Sequence, residues 1–340
     1  LADRLECGAD WGKWVQLYED VRQRVALLLG ASTDEIAVTA SASAGLNALA
    51  SALSYADGRD KIVVSDFEFP TSGQIWHAQE RAGARVEHVP ENAQGYIPLE
   101  AFERAIDERT RLVAISHVCY RNGARLDVAE ITRMARRKGA LVLLDCFQSV
   151  GVMQVDVKAL DVDFAVGGML KYLLGTAGIG FLYVREGCIP QLTPKASGWF
   201  AQADVDAMDV SRNVPSPTAR RFQAGTPPVP NCYAALAGLD IILQLGSTAI
   251  ETHRPVHGPV ARSRLPAGDS TRGFPARADG GHLFQQRCRA HSPACGAQRH
   301  YFLSRWQPAR HVPRVQRRKR CRRAGRRSAR EPRAGAERLD

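Results

Sequence analysis

Lys171 and Asp145 are the two residues of this chain best placed to do chemistry. Lys171 follows the apolar stretch VGGM (166–169) and precedes a glycine-bearing turn that leads into GIGFLYV (178–184). Asp145 ends ALVLLD (140–145), twenty-six positions upstream, and Gln148 comes three residues after it. An amine just beyond one buried strand and an acid at the end of another suit a pyridoxal 5'-phosphate (PLP) site. The amine can form a Schiff base with the aldehyde. The carboxylate can keep the pyridine nitrogen protonated, so that the ring draws electrons from a bound amino acid. Desolvation lowers a lysine pKa and makes its amine available for attack and proton transfer.

The elements that must position these groups are legible as a pattern. Apolar residues at helical spacing run over 11–29 and stop at Gly30. Short apolar runs at 36–40, 61–66, 85–90, 111–118, 140–145, 163–168 and 178–184 read as strands. Helical segments at 44–53, 71–82, 99–107 and 127–138 fall between them, and 231–245 is again helical. Strands alternating with helices of about ten residues predict an α/β fold, a mostly parallel sheet covered on both faces. Near-continuous apolar strands such as LVLLD and LVAIS fit buried central positions. Ligands of such sheets bind outside the carboxyl ends of the strands. His117, Asp145, Lys171 and the Ser41–Ser43 turn all lie at such ends. Residues 185–230 hold seven prolines and read as extended loops.

Composition divides the chain at His253. Residues 254–340 carry 21 Arg and 1 Lys against 5 acids, and contain no isoleucine; residues 1–253 carry 24 basic and 30 acidic groups. The overall +11 is therefore a property of the tail. One explanation is an arginine-rich arm for nucleic acid or acidic surfaces. The other is a shifted reading frame in GC-rich coding DNA, and we adopt it. A permitted codon choice for HYFLSRWQPARHVPRVQRRKRC (300–321), read one base later, encodes IISSRDGNLRVTFHAYNDESD, with strand-like alternation and an acidic helix start. The chain begins at Leu1, which is expected of a fragment. No apolar run reaches eighteen residues and no signal pattern opens the chain, so a cytoplasmic protein without a membrane partner is expected. The eight cysteines form no CxxC pair, which argues against a zinc ribbon or a disulfide framework, and Cys146 reads as a buried thiol.

TASASAGLNAL (39–49), ISHV (115–118), LLDCFQSVG (143–151), GGMLKYLLGTAGIGFLYV (167–184) and FQAGTPPVP (222–230), in this order and spacing, resemble the class V aminotransferase family of PLP enzymes. That family shares fold type I and includes cysteine desulfurases, kynureninases and isopenicillin-epimerase-like enzymes. The resemblance covers residues 11–253. It implies an N-terminal helical segment over 1–35, a PLP-binding large domain over 36–253, and a C-terminal small domain replaced here by the aberrant tail 254–340.

The resemblance also assigns roles. Lys171 matches the Schiff-base lysine, Asp145 the partner of the pyridinium, and Gln148 a hydrogen-bond donor to the phenolic oxygen. His117 matches a histidine stacked on the ring, although a histidine in this position can also be a satisfied core residue. Ser43 and the Ala44 N–H match the phosphate cradle at a helix start. Thr226 matches a residue that reaches the phosphate of the neighbouring subunit, which implies a homodimer. Trp199 is either a site residue or a packed loop tryptophan. Leu170 stands where many desulfurases carry histidine, and Tyr120 where they carry asparagine. The desulfurases also need a mobile-loop cysteine that the alternative frame lacks. The expected function is aminotransferase, lyase or epimerase chemistry on an amino acid. A desulfurase or selenocysteine lyase is the alternative on this fold, and an inactive frameshifted product or a nucleic-acid binder the alternative of another class.

Overall fold

The computed structural model describes residues 8–253 of the chain. The expectations for 1–7 and for the tail 254–340 lie outside the described residues. The first helix, α1 (Trp11–Leu29), is capped where Asp10 Oδ1 accepts the Lys13 N–H at 3.0 Å and closes on Gly30 at φ 66. Its stripe of Tyr18, Val21, Val25 and Leu29 is buried in the same core as the sheet. There follow β1 (Ile36–Thr39), α2 (Ala42–Ala52), β2 (Lys61–Ser65), α3 (Pro70–Ala78), β3 (Arg85–Val89), α4 (Leu99–Ala105), β4 (Thr110–Ser116), α5 (Val128–Arg137), β5 (Leu141–Asp145), β6 (Phe164–Gly168), β7 (Gly180–Val184), α6 (Val229–Leu245) and α7 (Ser247–His253). The expected elements are present, with ends shifted by at most four residues. Residues 185–228 form loops with three short 3₁₀ turns. Among the described residues, no helix is long and apolar enough to cross a membrane.

The seven strands form one sheet in the order β1-β7-β6-β5-β4-β2-β3. The run from β3 to β6 is parallel, and β7 lies antiparallel to both β6 and β1. Parallel neighbours need crossovers, and the helices that provide them cover both faces. Alternation then sorts each strand's side chains. Val113, Ile115, Val142 and Leu144 join the core shared with α1, α4, α5 and α6. Leu112, Ala114 and Leu143 join the core under α2 and α3, with Leu46, Leu49, Ile75 and Trp76. Burying each such large apolar side chain stabilises the fold by about 1.5–3 kcal/mol before ordering costs.

Two close approaches bring α6 onto the turn that carries Lys171. A Cβ on Gly238 would collide with the Leu173 carbonyl oxygen, and one on Gly175 would lie 2.8 Å from Met169 Cβ and 3.3 Å from Ala235 Cα. Leu174, inside this turn, has φ 58, a conformation that leucine rarely adopts. Helix and turn are therefore fitted backbone to backbone, with no room for a methyl group. Gly238→Ala is expected to destabilise the protein by about 1–3 kcal/mol, seen as a lower urea midpoint. Gly73→Ala, in a helix with open space around it, should be neutral or slightly stabilising.

Candidate active site

A cavity of about 260 Å³ opens at the carboxyl ends of β2, β4, β5 and β6. Asp145, Gln148, Lys171 and Ser43 all line it, together with Phe69, Tyr120, Phe147 and Leu170. Its position follows from strand geometry. β4 and β5 run parallel with Ser116 opposite Asp145, so these two side chains share a face, on the α2 and α3 side of the sheet. Asp145 terminates β5 and turns its carboxylate back, where Oδ1 accepts the Phe147 N–H at 2.9 Å. Burial pushes the Asp145 carboxyl up to about 6, against the lowering effect of that N–H and of the positive Lys171.

Lys171 comes from the turn after β6. The Leu174 N–H donates to the Lys171 carbonyl at 3.2 Å, and the Gly175 N–H to the Met169 carbonyl at 2.8 Å. Met169 and Leu173 are buried anchors on either side of it. The Lys171 Nζ lies 5.0 Å from the centre of the Phe147 ring. Phe147 can reach that position because Gly168 has no side chain; a Cβ there would stand 2.6 Å from the ring. Partial burial lowers the Lys171 pKa from its ordinary value, and the nearby Asp145 opposes the shift.

Two of the expected residues do not line the cavity. His117 does not enter the cavity. It is one residue beyond Ser116 and so faces the opposite side of the sheet, 2% exposed, with Nδ1 3.1 Å from Ser149 Oγ. Burial, helped by Arg125, holds its pKa down at about 3, which keeps the ring neutral. The aromatic wall comes instead from Phe69 and Tyr120, in edge contact at 5.2 Å. The Ala44 N–H is likewise already taken: helix α2 starts two residues before the expected position, and Ser41 Oγ accepts that N–H at 3.0 Å as the N-cap. The first-turn N–H groups of Ala42 and Ser43 have no acceptor within the helix.

Thr226 is exposed and lies outside this cavity. Trp199 resolves as a packed loop residue. It stacks edge-on with Trp11 and Phe200, and its indole N–H donates to the Val205 carbonyl at 2.6 Å. Cys146 is buried, as expected, with Sγ 3.2 Å from the Val166 carbonyl oxygen. No described cysteine lines the cavity.

Sequence reasoning passed over the segment Asp66–Ser72, although DFEFP follows a strand of the same sheet edge. Phe69 and Ser72 line the cavity, and Glu68 lies behind them. Glu68 accepts hydrogen bonds from Ser65 Oγ at 3.1 Å, from Ser72 Oγ at 2.9 Å, and from Ser116. Burial, reinforced by the negative Asp145, pushes the Glu68 carboxyl up to about 8.

Comparison with known proteins places the chain in a family. The Aminotransferase class-V model matches residues 11–276, and the chain belongs to that family. It is 37% identical over 247 residues to an uncharacterized aminotransferase, YcbU, of Bacillus subtilis, covering 72% of this chain and 64% of that protein. It is 34% identical to a probable cysteine desulfurase of Methanothermobacter thermautotrophicus, covering 69% of this chain and 58% of the relative. Among solved structures, the cystine C-S lyase C-DES in complex with cysteine persulfide matches with a TM-score of 0.65 at 27% identity, over 71% of this chain and 64% of that one. The apo cysteine desulfurase of Thermococcus onnurineus matches with a TM-score of 0.63 at 30% identity, over 69% and 58%. The fold is thus the large-domain α/β fold of type I PLP enzymes. The chain spans less than two thirds of the length of these relatives.

A pH prediction follows from Glu68. A carboxyl whose folded-state pKa is raised binds its proton more tightly when folded. The stability it contributes is complete below the ordinary value of 4.5 and is lost as pH rises through about 8. Cofactor-free protein should therefore melt at progressively lower temperature across that window, and Glu68→Gln should flatten the dependence. Parallel melting curves for the two proteins from pH 5 to pH 9 would refute it.

Proposed function

We propose that this chain is the cofactor-binding part of a PLP-dependent enzyme acting on an amino acid, with Lys171 as the residue that holds the cofactor covalently. One observation carries the reading: Lys171 and Asp145, supplied by adjacent strands, open into the same cavity. The donor set fits the group. Among the described residues Asp145 accepts a hydrogen bond from the Phe147 N–H, burial raises its pKa to about 6, and a cationic ring N–H would add a second hydrogen bond. Phe69 and Tyr120 offer an aromatic wall, and the start of α2 offers N–H groups to an anion. A structure of the related C-DES with glycine covalently linked to its PLP cofactor supports the same ligand chemistry, at 25% identity and a TM-score of 0.66.

When bound, PLP supplies an electron sink that stabilises negative charge on the α-carbon of the amino acid. The residues of this chain do the rest. Asp145 fixes the proton on the ring nitrogen. Ser43, with the first-turn N–H groups of Ala42 and Ser43, would receive the phosphate, and Gln148 the phenolic oxygen. Lys171, its ammonium form weakened by burial, takes and returns the α-proton at its Nζ. The Phe147 ring lies 5.0 Å from the amine. Residues 36–253 form the large domain in this reading. Thr226 completes the site of a neighbouring subunit in a homodimer, and the protein works in the cytoplasm.

A cysteine desulfurase is the second reading, favoured by relatives that bear that name. None of the four described cysteines, Cys119, Cys146, Cys188 and Cys232, lines the cavity. Sulfide release from cysteine separates the two.

Borohydride reduction of PLP-saturated protein followed by peptide mass spectrometry should place the pyridoxyl adduct on Lys171, and Lys171→Ala should take up no visible chromophore. An adduct on another lysine overturns the assignment. In an active full-length form, Asp145→Asn is expected to lower kcat by about 10²-fold or more, because a neutral ring is a poorer electron sink.

A further inference from the structure

At the outer edge of the sheet, two histidines meet. His77 lies in the last turn of α3 and His88 on the edge strand β3. Their Nε2 atoms are 3.0 Å apart, and the rings are nearly parallel at 16° with centroids 5.2 Å apart. Each ring is backed by a carboxylate on its other nitrogen: His77 Nδ1 lies 3.1 Å from Glu80 Oε1, and His88 Nδ1 lies 3.3 Å from Asp66 Oδ1. Both side chains are about half exposed, at 46% and 44%.

The backing carboxylates decide what the Nε2 atoms present. A carboxylate accepts a hydrogen bond, so with Nδ1 as the protonated nitrogen each Nε2 turns a lone pair toward the other ring. Two lone pairs at 3.0 Å repel unless a positive centre lies between or beside them. Carboxylate-backed imidazoles converging through Nε2 are the arrangement that orients histidines on a metal. Two Zn–N bonds of about 2.0–2.1 Å at the tetrahedral angle set their nitrogens about 3.3 Å apart, a small outward swing from the observed spacing.

We propose that His77 and His88 form a surface site for a borderline divalent transition metal such as Zn²⁺ or Cu²⁺, with Asp66 and Glu80 as the carboxylates that orient the rings. Among the described residues no three His, Cys, Asp or Glu side chains gather around one point. The two imidazoles therefore bind as a pair, and water fills the remaining positions. The metal ties α3 to the edge strand β3.

The test uses the full 340-residue chain and the metal alone. Zn²⁺ titration by calorimetry should show a site that His77→Ala and His88→Ala each weaken at least 10-fold. Glu80→Gln, which keeps both ligands but loses the backing charge, should weaken it about 10-fold. Cu²⁺ should give an electron paramagnetic resonance spectrum with two imidazole nitrogens, lost in either alanine variant. Circular dichroism checks that the exposed substitutions leave the fold intact. Metal binding unchanged in both alanine variants would place the ligands elsewhere and overturn the proposal. So would absence of Zn²⁺ binding at about 1 mM, or a Zn²⁺ titration that leaves the ¹⁵N shifts of both rings unmoved, the result expected of a bridging proton.

Discussion

A carboxylate taken out of water at the end of β5 is the constraint around which the site is organised. Asp145 is placed there by the sheet. The parallel register pairs it with Ser116 on one side and Val166 on the other, so it cannot turn away without breaking the ladder. In that position it has one N–H donor and a partly buried ammonium nearby. An acid so poorly solvated favours a cationic hydrogen-bond donor over water, because the donor supplies both the charge and the missing bond.

The same economy of contacts explains the glycines around Lys171. Gly168 leaves room for the Phe147 ring, Gly175 for Met169, and Gly238 for the Leu173 carbonyl. These approaches hold the turn between a buried Met169 and a buried Leu173 while Leu170, Lys171 and Tyr172 face outward. A reactive amine on an ordinary surface loop would be mobile. Here the backbone on either side is clamped, and only the side chain remains to move. Glu68 plays a comparable part on the opposite wall: with Ser65, Ser72 and Ser116 it ties the segment that carries Phe69 to the ends of β2 and β4.

The family relationship covers the sheet and its helices, and its model reaches residue 276. Relatives continue for a third or more of their length beyond what this chain matches. Helix α6 exposes Tyr233, Ile241 and Leu245, and the cavity rim exposes Phe69, Tyr120 and Leu170.

Much of this was readable from the chain. Helix α1 was legible to its last residue because an amphipathic stripe ending in glycine encodes both the helix and its stop. Lys171 and Asp145 were legible because each ends an apolar run, and parallel sheets bring such ends together. That His117 lies off the cavity and that Phe69 lines it have a shared reason. Side-chain direction at a strand end changes with every residue, and which of Ser116 or His117 faces the cavity depends on the register with β5. Residues 66–72 join the site only because β2 lies beside β4, fifty positions later in the chain. The sequence alone determined the alternation of strands and helices, the lysine and the acid, since these depend on local periodicity and residue chemistry. Only the tertiary structure decided which side chains share the cavity, because a one-residue change of register reverses every face and no local pattern records it.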